Sequence, residues 1–342
     1  MKLNIKPNPD FDNRLKPVLL RQGTPDRVPF FELFADAATV YRVLDRPAGG
    51  DIIKDRIDFQ YRLGYDYATL WISGNELKIE GRRSDGHRTF NIAGQSTIRS
   101  WKDFENYPWP RLEGIDFSAL DKAAAYMPEG MKGIVLIGHQ LESPMKIMGY
   151  EGLAYALADD PDLVEAVFNK IGAMELYCYK NCVESEAVGA MLISDDLGFK
   201  NGTLISPDNL RNYVFPWYKR FTDVCHSHNI PVILHSCGKL DAVMEDIIGI
   251  GIDAKHSYED QIMPVTEMKQ RYGDRIAVLG GMDMDFLCRR TPDEIRARTR
   301  EILEICMPGG GYALGTGNSV ADYVPVENYL AMLDEGWKAG VY

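Results

Sequence analysis

Eight short apolar or β-branched runs recur along the chain, separated by stretches with helical periodicity, and this alternation constrains the fold more than any other feature. The runs are VPFFELF from Val28, YDYATLWI from Tyr65, GIVLIGHQ from Gly133 and AMLISDD from Ala190. They continue with PVILHSCG from Pro231, DAKHSYE from Asp253, IAVLGGMD from Ile276 and GGYALGTG from Gly310. Helical stretches open at Pro161-Asp162, Ser206-Pro207 and Thr291-Pro292, where a capping side chain and an N1 proline are the expected start signals. Near-continuous apolar strands alternating with helices imply a parallel sheet covered on both faces. Eight units in 342 residues fit an α/β (β/α)8 TIM barrel better than a doubly wound sheet. The runner-up is a dinucleotide fold, for which GTGNSV from Gly315 is a weak signal, having two glycines instead of three.

A long insertion after the second strand, about residues 75–131, breaks the rhythm. It contains a hairpin pattern around Ser84-Asp-Gly86 and the Pro- and aromatic-rich SWKDFENYPWPRLEG. A loop of that length after a barrel strand sits at the catalytic face and can act as a lid. ENYPWP, at 105–110, is expected to shape a loop wall. With no linker and no repeat, residues 1–342 read as a single domain.

The net charge of −12 argues against nucleic acid and anionic lipid as partners. No apolar run reaches the roughly 18–20 residues of a membrane span. The N-terminus lacks the apolar core of a signal peptide, so the expected location is cytoplasmic. The six cysteines are then expected as thiols, with Cys178 and Cys182 packing one helical turn apart. His226 and His228 are expected at a helix end, and Tyr41, Tyr61, Tyr65 and Tyr67 in packing.

In such a barrel the chemistry sits where strands end. The ends supply Glu32 and Asp36, then His139, Gln140 and Glu142, then Asp195 and Asp196. Next come His235 and Cys237, His256 and Glu259, Asp283, and finally Thr316 and Asn318. Strand side chains alternate, so His235 and Cys237 face one side and Ser236 the other. An imidazole and a thiolate on one face suit zinc, although two ligands are a weak motif. The alternative is a histidine bonded to a carboxylate beside a packed thiol. Several carboxylates in one dry pocket would need a cation, a proton or an arginine among them. Capping of the following loops is the structural reading for Asp195, Asp196 and Asp283.

These residues resemble the uroporphyrinogen decarboxylase-like superfamily, which includes the decarboxylase of haem synthesis and zinc-dependent corrinoid methyltransferases. The resemblance rests on PDRVPF, SPDNLRNYVFPWYKR, HSCGKLDAVMEDIIGIGIDA and GGGYALGTGNSVADYVPVENYLAML, and covers nearly the whole chain. Two departures separate it from the decarboxylase. Glu32 and Asp36 stand where cationic anchors for a polyanionic substrate are wanted, and LGTG with Thr316 replaces an LGHG-like turn. One departure separates it from the methyltransferases: their further cysteine after the last strand aligns at or next to Asn318. Either a third ligand comes from elsewhere, such as Glu142, Asp196, Asp283 or His256, or the metal is absent.

The resemblance implies methyl transfer between a methylcobalamin-type corrinoid and a thiol or pterin acceptor. Zinc would be held at His235 and Cys237, with Asp196, Asp283 and Glu142 as catalytic acids or bases. His139, Thr316 and Asn318 would face the cofactor. No DxHxxG stretch is present, so a corrinoid carrier protein is the expected partner, beside a small-molecule substrate and, as the assembly to test, a homodimer. The alternatives are a metal-free decarboxylase using Arg27, Arg42, Arg88 or Lys255, and a non-catalytic corrinoid- or tetrapyrrole-binding protein.

Overall fold

The computed structural model describes residue 3 and residues 5–79 and 96–342. Seven strands form one curled parallel sheet: β1 (Tyr67–Leu70), β2 (Lys132–Ile137), β3 (Val188–Ser194), β6 (Val232–His235), β7 (Ala254–His256), β8 (Ala277–Leu279) and β9 (Tyr312–Ala313). They lie side by side in chain order. A separate two-stranded hairpin, β4 (Gly198–Phe199) with β5 (Gly202–Thr203), stands in the loop after β3. Seven of the eight apolar runs are thus strands.

The eighth, around Phe30, departs from the expected regular strand. It joins β9 by a single parallel bridge, Phe30 to Leu314, with Phe31 N–H donating to Leu314 O at 2.8 Å. Its other edge is taken by a side chain. The Tyr67 hydroxyl accepts from Glu32 N–H at 2.7 Å and donates to Glu32 O. Tyr67 occupies both backbone groups of Glu32 that a neighbouring strand would pair. At Glu32 the side chain of Tyr67 thus stands in for a ladder with β1.

The helices obey their start signals. Asp160 accepts from Leu163 N–H at 3.1 Å ahead of Pro161–Cys182, and Ser206 from Asn209 N–H at 3.1 Å. Thr291 and Glu294 form a reciprocal capping box ahead of Pro292–Cys306. Each such cap contributes about 1 kcal/mol. The buried residues of Pro161–Cys182, including Val164, Val167, Phe168 and Ile171, recur every three or four positions and form its inner face. Cys178, Cys182 and Cys225 are buried free thiols, as packing groups should be.

After β1, the helix Ser118–Tyr126 packs against the helix Ile52–Arg62 and leads into β2, so it is an ordinary crossover helix. The insertion is therefore shorter at its far end than the sequence suggests. Tyr107 and Trp109 pack edge to face at 4.6 Å, and Tyr107 donates to Lys78 O at 2.8 Å, forming the expected loop wall. The hairpin pattern around Ser84 lies outside the described residues. Among the described residues no helix is long and apolar enough to cross a membrane.

His226 and His228 occupy the helix end before β6. His226 Nε2 lies 2.8 Å from Asp253 Oδ2, and that carboxylate also accepts from Val232 N–H at 2.7 Å. The Asp253 hydrogen bond is the main reason that the imidazole is held above its usual pKa of 6.5. Its stabilisation is complete below the unfolded value and lost as pH rises through the raised one. Because the pair is half exposed, a few tenths of a kcal/mol are expected. The urea midpoints of wild type and His226→Gln should differ at about pH 5.5 and converge by about pH 9. A gap that does not change with pH would count against this linkage.

Candidate metal centre

The register of β6 builds the site. His235 is paired with Ser194 on one side and with His256 on the other. Paired residues of a parallel ladder point to the same face, so the two imidazoles meet, with their Nδ1 atoms 2.8 Å apart. Two residues beyond Ser194 stands Asp196; two beyond His235 stands Cys237. His235 Nε2 lies 3.7 Å from Cys237 Sγ and 3.8 Å from Asp196 Oδ1. Metal-ligand atoms of Asp196, His235 and Cys237 all fall within 4.8 Å of one another.

Cys237 is held from several directions. Its N–H donates to Asp196 Oδ1 at 2.8 Å, and the next residue, Gly238, turns with φ +84°. A Cβ at Gly238 would stand 2.2 Å from the Gly198 carbonyl carbon, so only glycine lets the β4–β5 hairpin close over this turn. Ser236 points the other way, its Oγ accepting from Leu197 N–H at 2.9 Å. At the sulfur, Asn318 Nδ2 donates at 3.3 Å and Ser257 Oγ lies 3.7 Å away. Ser257 is not among the strand-end residues that the sequence singles out. Its only sequence signal is its place one residue beyond His256.

Burial, then the positive field of Lys255, lowers the His235 pKa to about 3, so the imidazole is neutral, the form that binds metals. Burial first, then the Asp196 carboxylate, pushes the Cys237 thiol up to about 12. A divalent cation among these atoms would reverse the second shift and draw out the thiolate. A borderline nitrogen donor, a soft sulfur and a carboxylate are a normal zinc donor set. The residues fit a metal ion.

The candidates for a third ligand separate cleanly. Asp196 joins the cluster. Glu142 pairs with Lys146 and uses Oε1 to accept from Asp196 N–H at 3.3 Å, so it buttresses the ligand loop. Asp283 caps the helix Met284–Arg289, accepting from Phe286 N–H at 3.0 Å and from Asp260 N–H at 2.9 Å. Its two oxygens serve backbone amides, the capping role. His256 turns its second ring nitrogen to Thr316 O at 3.0 Å. Asp195 is buried, bonding Leu141 N–H, Glu142 N–H and the Tyr218 hydroxyl.

His139 borders the site, its N–H on Glu175 and its Nδ1 3.7 Å from Glu142. Thr316 and Asn318 form the turn that meets His256 and Cys237. Among the cations, Arg27 stacks on Trp337 at 3.6 Å and Arg42 faces Glu327 at 3.9 Å. Arg88 lies outside the described residues. Lys255 is buried behind the wall, donating to Ser257 O at 2.9 Å and Ser236 O at 3.3 Å. Burial lowers its pKa to about 8.

The family profile described as Uroporphyrinogen decarboxylase (URO-D) matches residues 95–336. Methylcobamide:CoM methyltransferase MtaA of Methanosarcina barkeri is 27% identical over 205 residues, 60% of this chain and 56% of the relative. The matched part therefore spans little more than half of that relative's length. A uroporphyrinogen decarboxylase of Thioalkalivibrio sulfidiphilus is 24% identical over 230 residues, 60% of this chain and 63% of its own. A solved methyltransferase from Methanosarcina mazei superposes with a TM-score of 0.73 at 17% identity, over 97% of this chain and 99% of that one. That likeness is one of fold.

Proposed function

The chain belongs to the uroporphyrinogen decarboxylase family, and from that membership we propose that it is a corrinoid-dependent methyltransferase of the family. It moves a methyl group from a methylcobalamin-type carrier to a thiol, with a pterin as the alternative acceptor. The observation that carries this reading is the clustering of His235, Cys237 and Asp196 at the ends of β6 and β3. The match to the methylcobamide:CoM methyltransferase supports the same reaction class.

His235, Cys237 and Asp196 would hold zinc. Bound there, the ion would supply charge that keeps an acceptor thiol ionised near neutral pH. The chain's own residues do the rest. His235 and Cys237, both set in rigid backbone, fix where the acceptor sulfur stands. The Asn318 amide stabilises negative charge on the neighbouring Cys237 sulfur. Asp196 is the half-exposed member of the three, so the proton displaced from the acceptor leaves past it to solvent. In the transfer, the sulfur–carbon bond forms as the cobalt–carbon bond of the substrate corrinoid breaks, its electron pair remaining on cobalt. The fold, in this reading, is a (β/α)8 barrel of one domain, with the site at its open end.

The test is a spectroscopic assay of methylcobalamin demethylation with zinc-loaded protein and either an alkyl thiol or tetrahydrofolate. Demethylation should depend on protein and on metal. A rate equal to the protein-free control with both acceptors would overturn the assignment.

A further inference from the structure

We propose that the turn Thr316–Asn318, anchored by Glu32, is a positioning device that sets the tautomer of His235 through His256 and holds the Cys237 sulfur through Asn318. The inference rests on the metal-site reading only for its purpose. The hydrogen-bond chain itself is a property of the protein alone.

The chain starts at a carbonyl. Thr316 O can only accept, so the His256 Nε2 atom 3.0 Å from it carries a proton. His256 is buried against the Phe31 ring, with centroids 5.1 Å apart, and Gly280 closes the other side. A Cβ at Gly280 would stand 2.7 Å from His256 Cδ2, so glycine is required for the ring to sit there. No carboxylate contacts this ring among the described residues, and a second proton on it would be a buried, unpaired charge. Its Nδ1 therefore presents a lone pair. His235 Nδ1, 2.8 Å away, must be the donor. That leaves His235 Nε2 unprotonated, and Nε2 is the atom that faces Cys237 and Asp196.

The other end of the chain is Glu32. It accepts from the Thr316 hydroxyl and from Thr316 N–H at 3.3 Å, fixing the residue whose carbonyl holds His256. Two positions on, the Asn318 amide reaches the Cys237 sulfur. One anchored turn thus touches both ligand residues, one directly and one through a second imidazole. A partner that fixes the tautomer of a metal-bound histidine is commonly worth 10–100-fold in metal affinity. Glu32 and His256 are positioning residues in this scheme, since neither meets the reacting atoms.

Two variants separate position from bulk. His256→Gln can accept from His235 with its carbonyl oxygen and donate to Thr316 O with its amide. His256→Phe can do neither. In metal-free protein with 15N-labelled histidine, wild type should show His235 protonated at Nδ1 and bare at Nε2. His256→Gln should keep that pattern and His256→Phe should give a mixture of tautomers. Zinc competition against a chelator should then show about a tenfold or greater loss for His256→Phe, restored by His256→Gln. Finding His235 of the wild type protonated at Nε2 overturns the proposal, and this readout needs no variant to fold. A correct tautomer in a protein that binds no zinc supports the relay and counts instead against the metal-dependent function.

Discussion

Cys237→Ala is expected to lose stoichiometric zinc while keeping its fold. Four-ligand structural zinc sites in peptides bind with about 10–16 kcal/mol, so one ligand is worth about 3–4 kcal/mol, or two to three decades in affinity. Metal content of protein purified without chelators should fall from one ion per chain to a small fraction, and methyl transfer should fall with it. The bland alternative treats Cys237 as a packed thiol. Its removal would then cost about 1 kcal/mol of stability and leave metal content unchanged. Asp196→Asn is the companion measurement. An asparagine oxygen can still accept from Cys237 N–H, the 2.8 Å bond that shapes the loop, while the anionic donor is gone. Retained folding with a smaller loss of affinity is expected there. Equal zinc content in wild type and Cys237→Ala would remove Cys237 from the site.

The second large effect concerns stability. Asp195→Ala should destabilise the protein by about 3–5 kcal/mol, because it strands three buried donors at roughly 1–3 kcal/mol each, less some relaxation. Those donors are Leu141 N–H at 2.7 Å, Glu142 N–H at 2.8 Å and the Tyr218 hydroxyl at 2.7 Å. Few single substitutions reach that size, and it is a large share of a total of about 5–15 kcal/mol. Urea unfolding monitored by circular dichroism reads it directly. Asp195→Asn, which keeps one acceptor oxygen, should fall between the two. A loss below about 1 kcal/mol for the alanine variant would show that water reaches these donors.

The neighbouring pair Asp195 and Asp196 shows what the chain alone reveals and what it hides. Both read as carboxylates at a strand end, and either could cap or could bind. Consecutive strand residues face opposite ways, so one turns into the packing beneath the helix Phe215–Ser227 and the other toward Cys237. Which is which depends on the register of β3 against β6, and that is set by contacts far apart in sequence. Asp283 could be read as a cap, the role it plays at Phe286, but nothing local marked that its other oxygen would serve Asp260, 23 residues earlier. Ser257 reaches the Cys237 sulfur only because β6 and β7 are neighbours.

By itself the sequence determined the alternation of strands and helices, the helix starts, and the shared face of His235 and Cys237. These follow from periodicity, capping chemistry and side-chain alternation, each local to a few residues. Tertiary structure alone decided that the segment around Phe30 meets β1 through the Tyr67 hydroxyl instead of a ladder. It decided that Asp196, and not Glu142, Asp283 or His256, stands with the pair. It also placed Thr316 against His256 and Asn318 against Cys237, 60 and 81 residues earlier in the chain. Those outcomes rest on strand register and on the curl of the sheet, which bring distant residues within hydrogen-bond reach and leave no trace in any short window of sequence.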